Sequence, residues 1–251
     1  MRLATVEFGP LPTALGRVAI ASIVLLPLAL AKGHARVLIS NRGRLLAAGL
    51  VNSGLPFACF GFAVLHISTG LSSILNATVP LFGALVAWRW FGDRPGWSRG
   101  AGLALGFAGV AALTLGRAAP PGPAGGTSAL MSTLAIAACL LATFSYALAA
   151  SFARRFLGGL PPVATAAGSL MGATVGLLLP ALWAWPGTFP SAQAWLALTL
   201  SGVFSTGLAY LLYFRLIETA GPTRTLTVTY AIPVFAVVFG ALFLGEADPP
   251  C

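Results

Sequence analysis

The sequence predicts an all-α integral membrane protein, a multi-pass helical bundle built from two inverted repeats. Three observations carry the prediction. Apolar stretches of spanning length recur along the chain, basic residues gather in alternate connections, and one half of the sequence echoes the other. Of 251 residues, 58% are hydrophobic and 8% charged, whereas roughly a quarter are charged in soluble domains. A hydrocarbon core of about 30 Å needs about 20 helical residues. Backbone groups in lipid must be satisfied within the segment, so each such stretch is a helix.

Eight spans are expected. The first runs from Pro12 to Ala31, the second from Arg44 to Leu65, the third from Ser68 to Phe91 and the fourth from Trp97 to Gly116. After a connection rich in Ala, Pro and Gly come Ser128 to Ala150, Pro161 to Trp185, Gln193 to Ile217 and Pro222 to Leu244. Val18 to Leu30, abutted by Arg17, resembles a signal-peptide core. However, Arg2 and Glu7 make a weak leading region, and the repeat assigns the segment to the body of the protein.

The net charge of +9 raises the question of nucleic acid, but its distribution excludes that partner. Lys32, Arg36, Arg42 and Arg44 fall between spans one and two, Arg94 and Arg99 between three and four, and Arg154 and Arg155 between five and six; Arg215 and Arg224 flank the junction of seven and eight. The alternate connections carry Arg117 or nothing. This is the positive-inside pattern, with basic loops in the cytoplasm and the chain start outside. Cys59 and Cys139 sit within apolar spans and Cys251 is terminal, so neither a disulfide framework nor metal spacing is expected.

Sliding the chain against itself by 153 residues aligns Leu25-Leu26-Pro27 with Leu178-Leu179-Pro180, and Gly49 and Gly54 with Gly202 and Gly207. Pro80-Leu81-Phe82, then Phe91-Gly92-Asp93, aligns with Pro233-Val234-Phe235, then Leu244-Gly245-Glu246. Several coincidences in one register argue for duplication. The two proline motifs lie in the third and eighth spans, an odd number of crossings apart, so the copies are expected to be inverted. Inverted repeats suit a secondary transporter, whose near-equivalent halves open one midplane site to either side in turn. The expected organisation is a first repeat over 1–117, a linker over 118–127 and a second repeat over 128–251. The first repeat lacks a counterpart of the span at Ser128, and the second stops where the first continues into Trp97–Gly116. Ten helices are therefore expected of the complete design.

These motifs, with ALGRVAIASIVLLPLAL and SSILNATVPLFGALVAW, resemble the EamA family of the drug/metabolite transporter superfamily. The resemblance covers nearly the whole chain. It implies ten helices in two inverted five-helix repeats, a plasma-membrane location and export of amino acids or other small metabolites. Asp93 stands where such proteins more often carry Glu.

The candidate cavity residues are Asn52, Asn76, Tyr146, Tyr210, Tyr230 and Arg17. Asn52 and Asn76 lie about eight residues into their spans, roughly 12 Å deep, where an amide must meet a partner helix or a wet cavity. The tyrosines offer apolar walls with single hydroxyls; the competing reading is an interfacial belt. Tyr230 and Tyr210 are too deep for a belt. Arg17, whose repeat counterpart is Leu170, either snorkels to headgroups or pairs with a carbonyl, or else docks an anionic group. Pro80 and Pro233 are expected as kinks in the cavity wall, serving as hinges or as static packing features. Gly168, Gly172 and Gly176, and Gly102 with Gly106, are read as packing faces.

No carboxylate falls at a span midpoint, so no proton relay of the usual kind is predicted. The sequence also contains no HExxH or Walker A motif. No catalysis, cofactor or metal is expected. The partners are a small-molecule substrate and the lipid bilayer. The alternative is a non-transporting membrane protein, or an inactive truncated fragment of such a carrier.

Overall fold

In a computed structural model of the chain, the described residues are 2–92 and 129–231, with isolated positions between 96 and 109 and residue 235. Every regular element among them is helical. The predicted fourth and eighth spans are described only in part. The linker at 118–127, Asp93, Pro233 and Glu246 lie outside the described residues.

A short α1 (Arg2–Phe8) leads into α2 (Pro10–Ala31), the first span. After α3 (Ala35–Ser40), the second span is composite, with α4 (Arg42–Gly49), a π-helical segment π1 (Leu50–Gly54) and α5 (Leu55–His66). The third breaks into α6 (Thr69–Asn76) and α7 (Val79–Phe91). In the second half come α8 (Ala129–Phe156) and α9 (Pro162–Trp183), then α10 (Ala192–Leu200), π2 (Ser201–Leu208) and α11 (Ala209–Ala220) in one span. The described chain ends in α12 (Pro222–Leu226) and a 3-10 turn (Thr227–Ala231). Six of these spans are long and apolar enough to cross a membrane, beginning at Pro10, Arg42, Gly70, Ala129, Pro162 and Ala192. They match the predicted spans within a few residues at most ends. The exception is α8, which runs six residues past Ala150 to include Arg154 and Arg155 in its last turn. Cations favour a helix C-terminus, and long basic side chains reach the headgroup layer from inside a helix.

The structural elements repeat at the same spacing as the motifs. Adding 153 to the bounds of α2, π1 and α5 lands within two residues of α9, π2 and α11. Pro27 and Pro180 occupy equivalent places inside α2 and α9. Contacts are exchanged between the halves in the same way. Gly49 of α4 lies against Ser169 and Ala173 of α9, and Gly202 of π2 lies against Arg17 and Ile20 of α2. Ser169 and Ala173 are the 153-residue counterparts of Gly16 and Ile20. Each half therefore lays its π-bearing span on the span that precedes the π segment in the other half, α4 on α9 and π2 on α2, and the halves interlock.

Small residues make the crossing close. A Cβ on Gly172 would stand 2.6 Å from Leu46 Cα, and one on Gly168 2.6 Å from a Leu45 methyl. The predicted Gly168–Gly172–Gly176 face is thus the seam between α4 and α9, as expected where helix association in lipid rests on van der Waals contact. The Gly102–Gly106 face is half of what was expected. Gly106 meets Leu81, while a Cβ on Gly102 would meet nothing within 4 Å.

α1 is tied down outside the spans. Phe8 is fully buried and packs edge-on against Trp195 at 4.9 Å. The Glu7 carboxylate accepts from Ser191 N–H (2.6 Å) and Ser191 Oγ (2.8 Å), while Ser191 Oγ caps α10 by accepting from Ala194 N–H. These two bonds, the backbone one foremost, hold the Glu7 carboxyl below its ordinary value. A depressed carboxylate stabilises the folded chain above its unfolded pKa, and that contribution is lost as pH falls through the folded value. Thermal unfolding of Glu7→Gln is therefore expected to fall beneath wild type at neutral pH and to converge on it only as pH drops below the unfolded carboxyl value of about 4.3 towards the lower folded one. The check is a pair of melting curves across pH 3–7.

Candidate functional site

The site begins with a proline. Pro56, near the start of α5, has no N–H to donate to the carbonyls four or five residues back, Asn52 and Val51, where the helix is widened. Both carbonyls accept hydrogen bonds from the second half. Tyr210 Oη donates to Asn52 O at 2.7 Å, and Ser145 Oγ donates to Val51 O at 2.7 Å. Tyr210 Oη also accepts from Ser53 Oγ at 2.9 Å. The widened π turn and its proline thus bind the second span to α8 and α11. Such π segments recur at functional sites.

A cavity of about 220 Å³ opens between the two π segments, lined by Arg17, Asn52, Asn76, Tyr146, Tyr210 and Tyr213 among others. Five of the six predicted cavity residues line it together. For the sixth, the Tyr230 backbone lies in the 3-10 turn, but its side chain is outside the described residues. The repeat supplies matched walls. Asn52 and Ser205, one from each π segment and 153 residues apart, both line the cavity, as do Phe57 and Tyr210, whose rings meet edge-on at 6.3 Å.

Arg17 breaks the symmetry. It is 8% exposed, so it does not snorkel. Its Nε and Nη2 donate to Thr206 Oγ1 at 3.3 and 3.1 Å, and its guanidinium lies 4.1 Å from the centroid of the Phe57 ring. A flat cation stacks well on an aromatic face. Thr206 in turn donates to Ser201 O across the π turn. The described lining holds this one cation and no Asp or Glu.

Asn76 ends α6, and Pro80 stands at the second position of α7, so the freed carbonyl four residues before the proline is that of Asn76. The break between them, at Ala77 and Thr78, is secured by Thr78 Oγ1, which donates to Leu75 O at 2.7 Å and lies 3.1 Å from Thr143 Oγ1. Asn76 Oδ1 is buried with no hydrogen-bond partner among the described residues. An amide left in that condition costs about 1–3 kcal/mol, which a ligand donor in the cavity would offset. Pro80 therefore marks a discontinuous helix, the construction that exposes backbone polarity to transporter sites. In the second half, α12 likewise gives way to a 3-10 turn ahead of Pro233.

The sequence reading did not select Phe57, Ser205, Thr206 or Tyr213 for the site. The first three were within reach, because adding or subtracting 153 from Tyr210, Asn52 and Ser53 yields them.

Comparison with known proteins agrees with this architecture. YvbV of Bacillus subtilis (strain 168), named an uncharacterized transporter, is 25% identical over 235 residues, covering 92% of this chain and 73% of that protein. YedA of Escherichia coli (strain K12), named an uncharacterized inner membrane transporter, is 27% identical over 256 residues, covering 98% and 78%. A solved crystal structure superposes with a TM-score of 0.72 at 19% identity, covering 98% of this chain and 83% of its own, and shows a shared fold. The model of the EamA-like transporter family matches residues 1–115 and again 133–247, one match for each set of repeated motifs. A multi-pass helical membrane protein matched along both halves in this way belongs to the EamA-like transporter family.

Proposed function

We propose that the chain is a secondary carrier that moves a small metabolite with an anionic group, an amino acid or related compound, out across the plasma membrane by alternating access. The observation that carries this reading is the cavity lined from both π segments, where Arg17 and Asn76 face one space. In this reading Arg17 receives the anionic group. Asn76, Asn52, Tyr146, Tyr210 and Tyr230 orient the rest. A cavity of about 220 Å³ is below the roughly 300–1,000 Å³ of drug-sized clefts and suits a compact solute.

The two repeats, 1–117 and 128–251 joined by 118–127, act as inverted halves that exchange conformations about this site, with Pro80 and Pro233 as hinges. The interlocked packing of α4 on α9 and of π2 on α2 supports such a reciprocal motion. The inner-membrane name of the Escherichia coli relative supports the location. No catalytic step and no nucleic acid enter this reading. Proteoliposomes containing the chain are expected to show substrate-dependent flux of a radiolabelled amino acid. Absence of flux across a broad panel of amino acids and related metabolites would sink the proposal.

A further inference from the structure

Away from the central cavity, a groove of about 630 Å³ runs between the end of α2, α3, α4 and α9. Its walls are almost wholly apolar, with Leu30, Ile39, Leu46, Met171 and Val175 all exposed. On α9 it extends from Gly168 to Val175, six to thirteen residues past Pro162, or about 9–20 Å into the span at 1.5 Å per residue. Arg42 stands at its mouth. The segment 32–44 around that mouth carries Lys32, Arg36, Arg42 and Arg44, all exposed, and no Asp or Glu. The charge rule places this segment at the cytoplasmic headgroup layer.

The geometry points to a binding site for one anionic phospholipid, its phosphate at Arg42 and an acyl chain lying in the groove along α9. A groove that begins at a cationic mouth in the headgroup layer and continues into hydrocarbon depth matches the two halves of such a lipid. A second copy of the chain fits less well. An isologous contact would set this four-cation segment against or near itself, and like charges at close range repel. The glycines leave the groove open: Gly168 and Gly172 let α4 sit directly on α9, and the aliphatic side chains to either side form its banks.

Native mass spectrometry of the detergent-solubilised chain, exposed to equal amounts of phosphatidylglycerol and phosphatidylcholine with identical acyl chains, tests the site. Phosphatidylglycerol is expected to be retained in preference. Arg42→Gln is expected to cut that preference about fivefold, the effect of one basic side chain near an anionic surface, while flux is unaffected in sign. Val175→Trp is expected to lower retention of both lipids by filling the groove; Met171→Trp serves if that variant does not fold. Equal retention of the two lipids, or a preference that Arg42→Gln leaves intact, overturns the proposal. So does a dimer that retains no lipid and is broken by the groove-filling variant.

Discussion

Arg17→Leu is expected to leave the chain folded and to reduce carrier affinity by about 10- to 150-fold. The fold tolerates leucine at this place, since the repeat counterpart in α9 is Leu170, fully buried. Thr206 Oγ1, which accepts from the guanidinium, still donates to Ser201 O, and Phe57 exchanges a cation for a methyl-bearing neighbour. Replacing buried charge with well-packed apolar groups is often neutral or stabilising. What is lost is the group that meets an anion. A charge-assisted hydrogen bond contributes about 1.5–3 kcal/mol, and about 1.4 kcal/mol is tenfold in affinity. Arg17→Lys keeps the charge without the planar fork or the stacking on Phe57, so it is expected to fall between. Flux at varied solute concentration gives KM for each variant, and a melting curve in the same detergent reports the fold. Wild-type KM in Arg17→Leu, with the protein intact, would show that the cation does not meet the solute.

Much of this was legible in the sequence because duplication leaves a numerical trace. The 153-residue register, read from prolines and glycines, reappears in the bounds of α2 and α9, π1 and π2, and α5 and α11. Span positions followed from hydropathy, which depends on length and composition alone. Depth within a span also identified Asn52, Asn76 and Tyr210, because amides and hydroxyls far from water need a cavity or a partner. The fate of Arg17 was not legible. Five residues from a predicted span end, an arginine reaches the headgroups as easily as the interior. The difference is made by Thr206 and Phe57, 189 and 40 positions away in the chain. The π segments were hidden as well, since hydrophobic periodicity hardly separates a π turn from an α turn. The visible signal was Pro56 four residues after Asn52, a proline that had to leave an orphan carbonyl at the depth of a candidate site.

Gly49→Ala sets two effects against each other, and their sizes settle the outcome. Alanine is favoured over glycine inside a helix by about 1 kcal/mol, so propensity alone predicts a more stable chain. However, a Cβ at this position would collide with Ser169 O and would come within 2.7 Å of Ala173 N. Both are backbone atoms of α9 and cannot rotate aside. Relief requires α4 and α9 to separate along the seam that Gly168 and Gly172 keep close, and in lipid that contact is what holds the helices together. Overpacking of this kind costs about 1–3 kcal/mol, occasionally more, and a backbone obstacle places it at the upper end. Gly207→Ala is the internal control. It lies in π2, where the nearest atoms to an added Cβ are Gly202 O at 3.4 Å and Ala21 at 3.7 Å, ordinary contact distances. Its stability is expected to equal or slightly exceed wild type. Gly202→Ala falls between them, since its Cβ would stand 2.8 Å from Ile20 Cβ, an obstacle that moves only with the α2 backbone. Thermal unfolding of the three variants in one detergent should therefore rank Gly49→Ala lowest, then Gly202→Ala, then Gly207→Ala. If Gly49→Ala melts with Gly207→Ala, the halves do not interlock through that crossing.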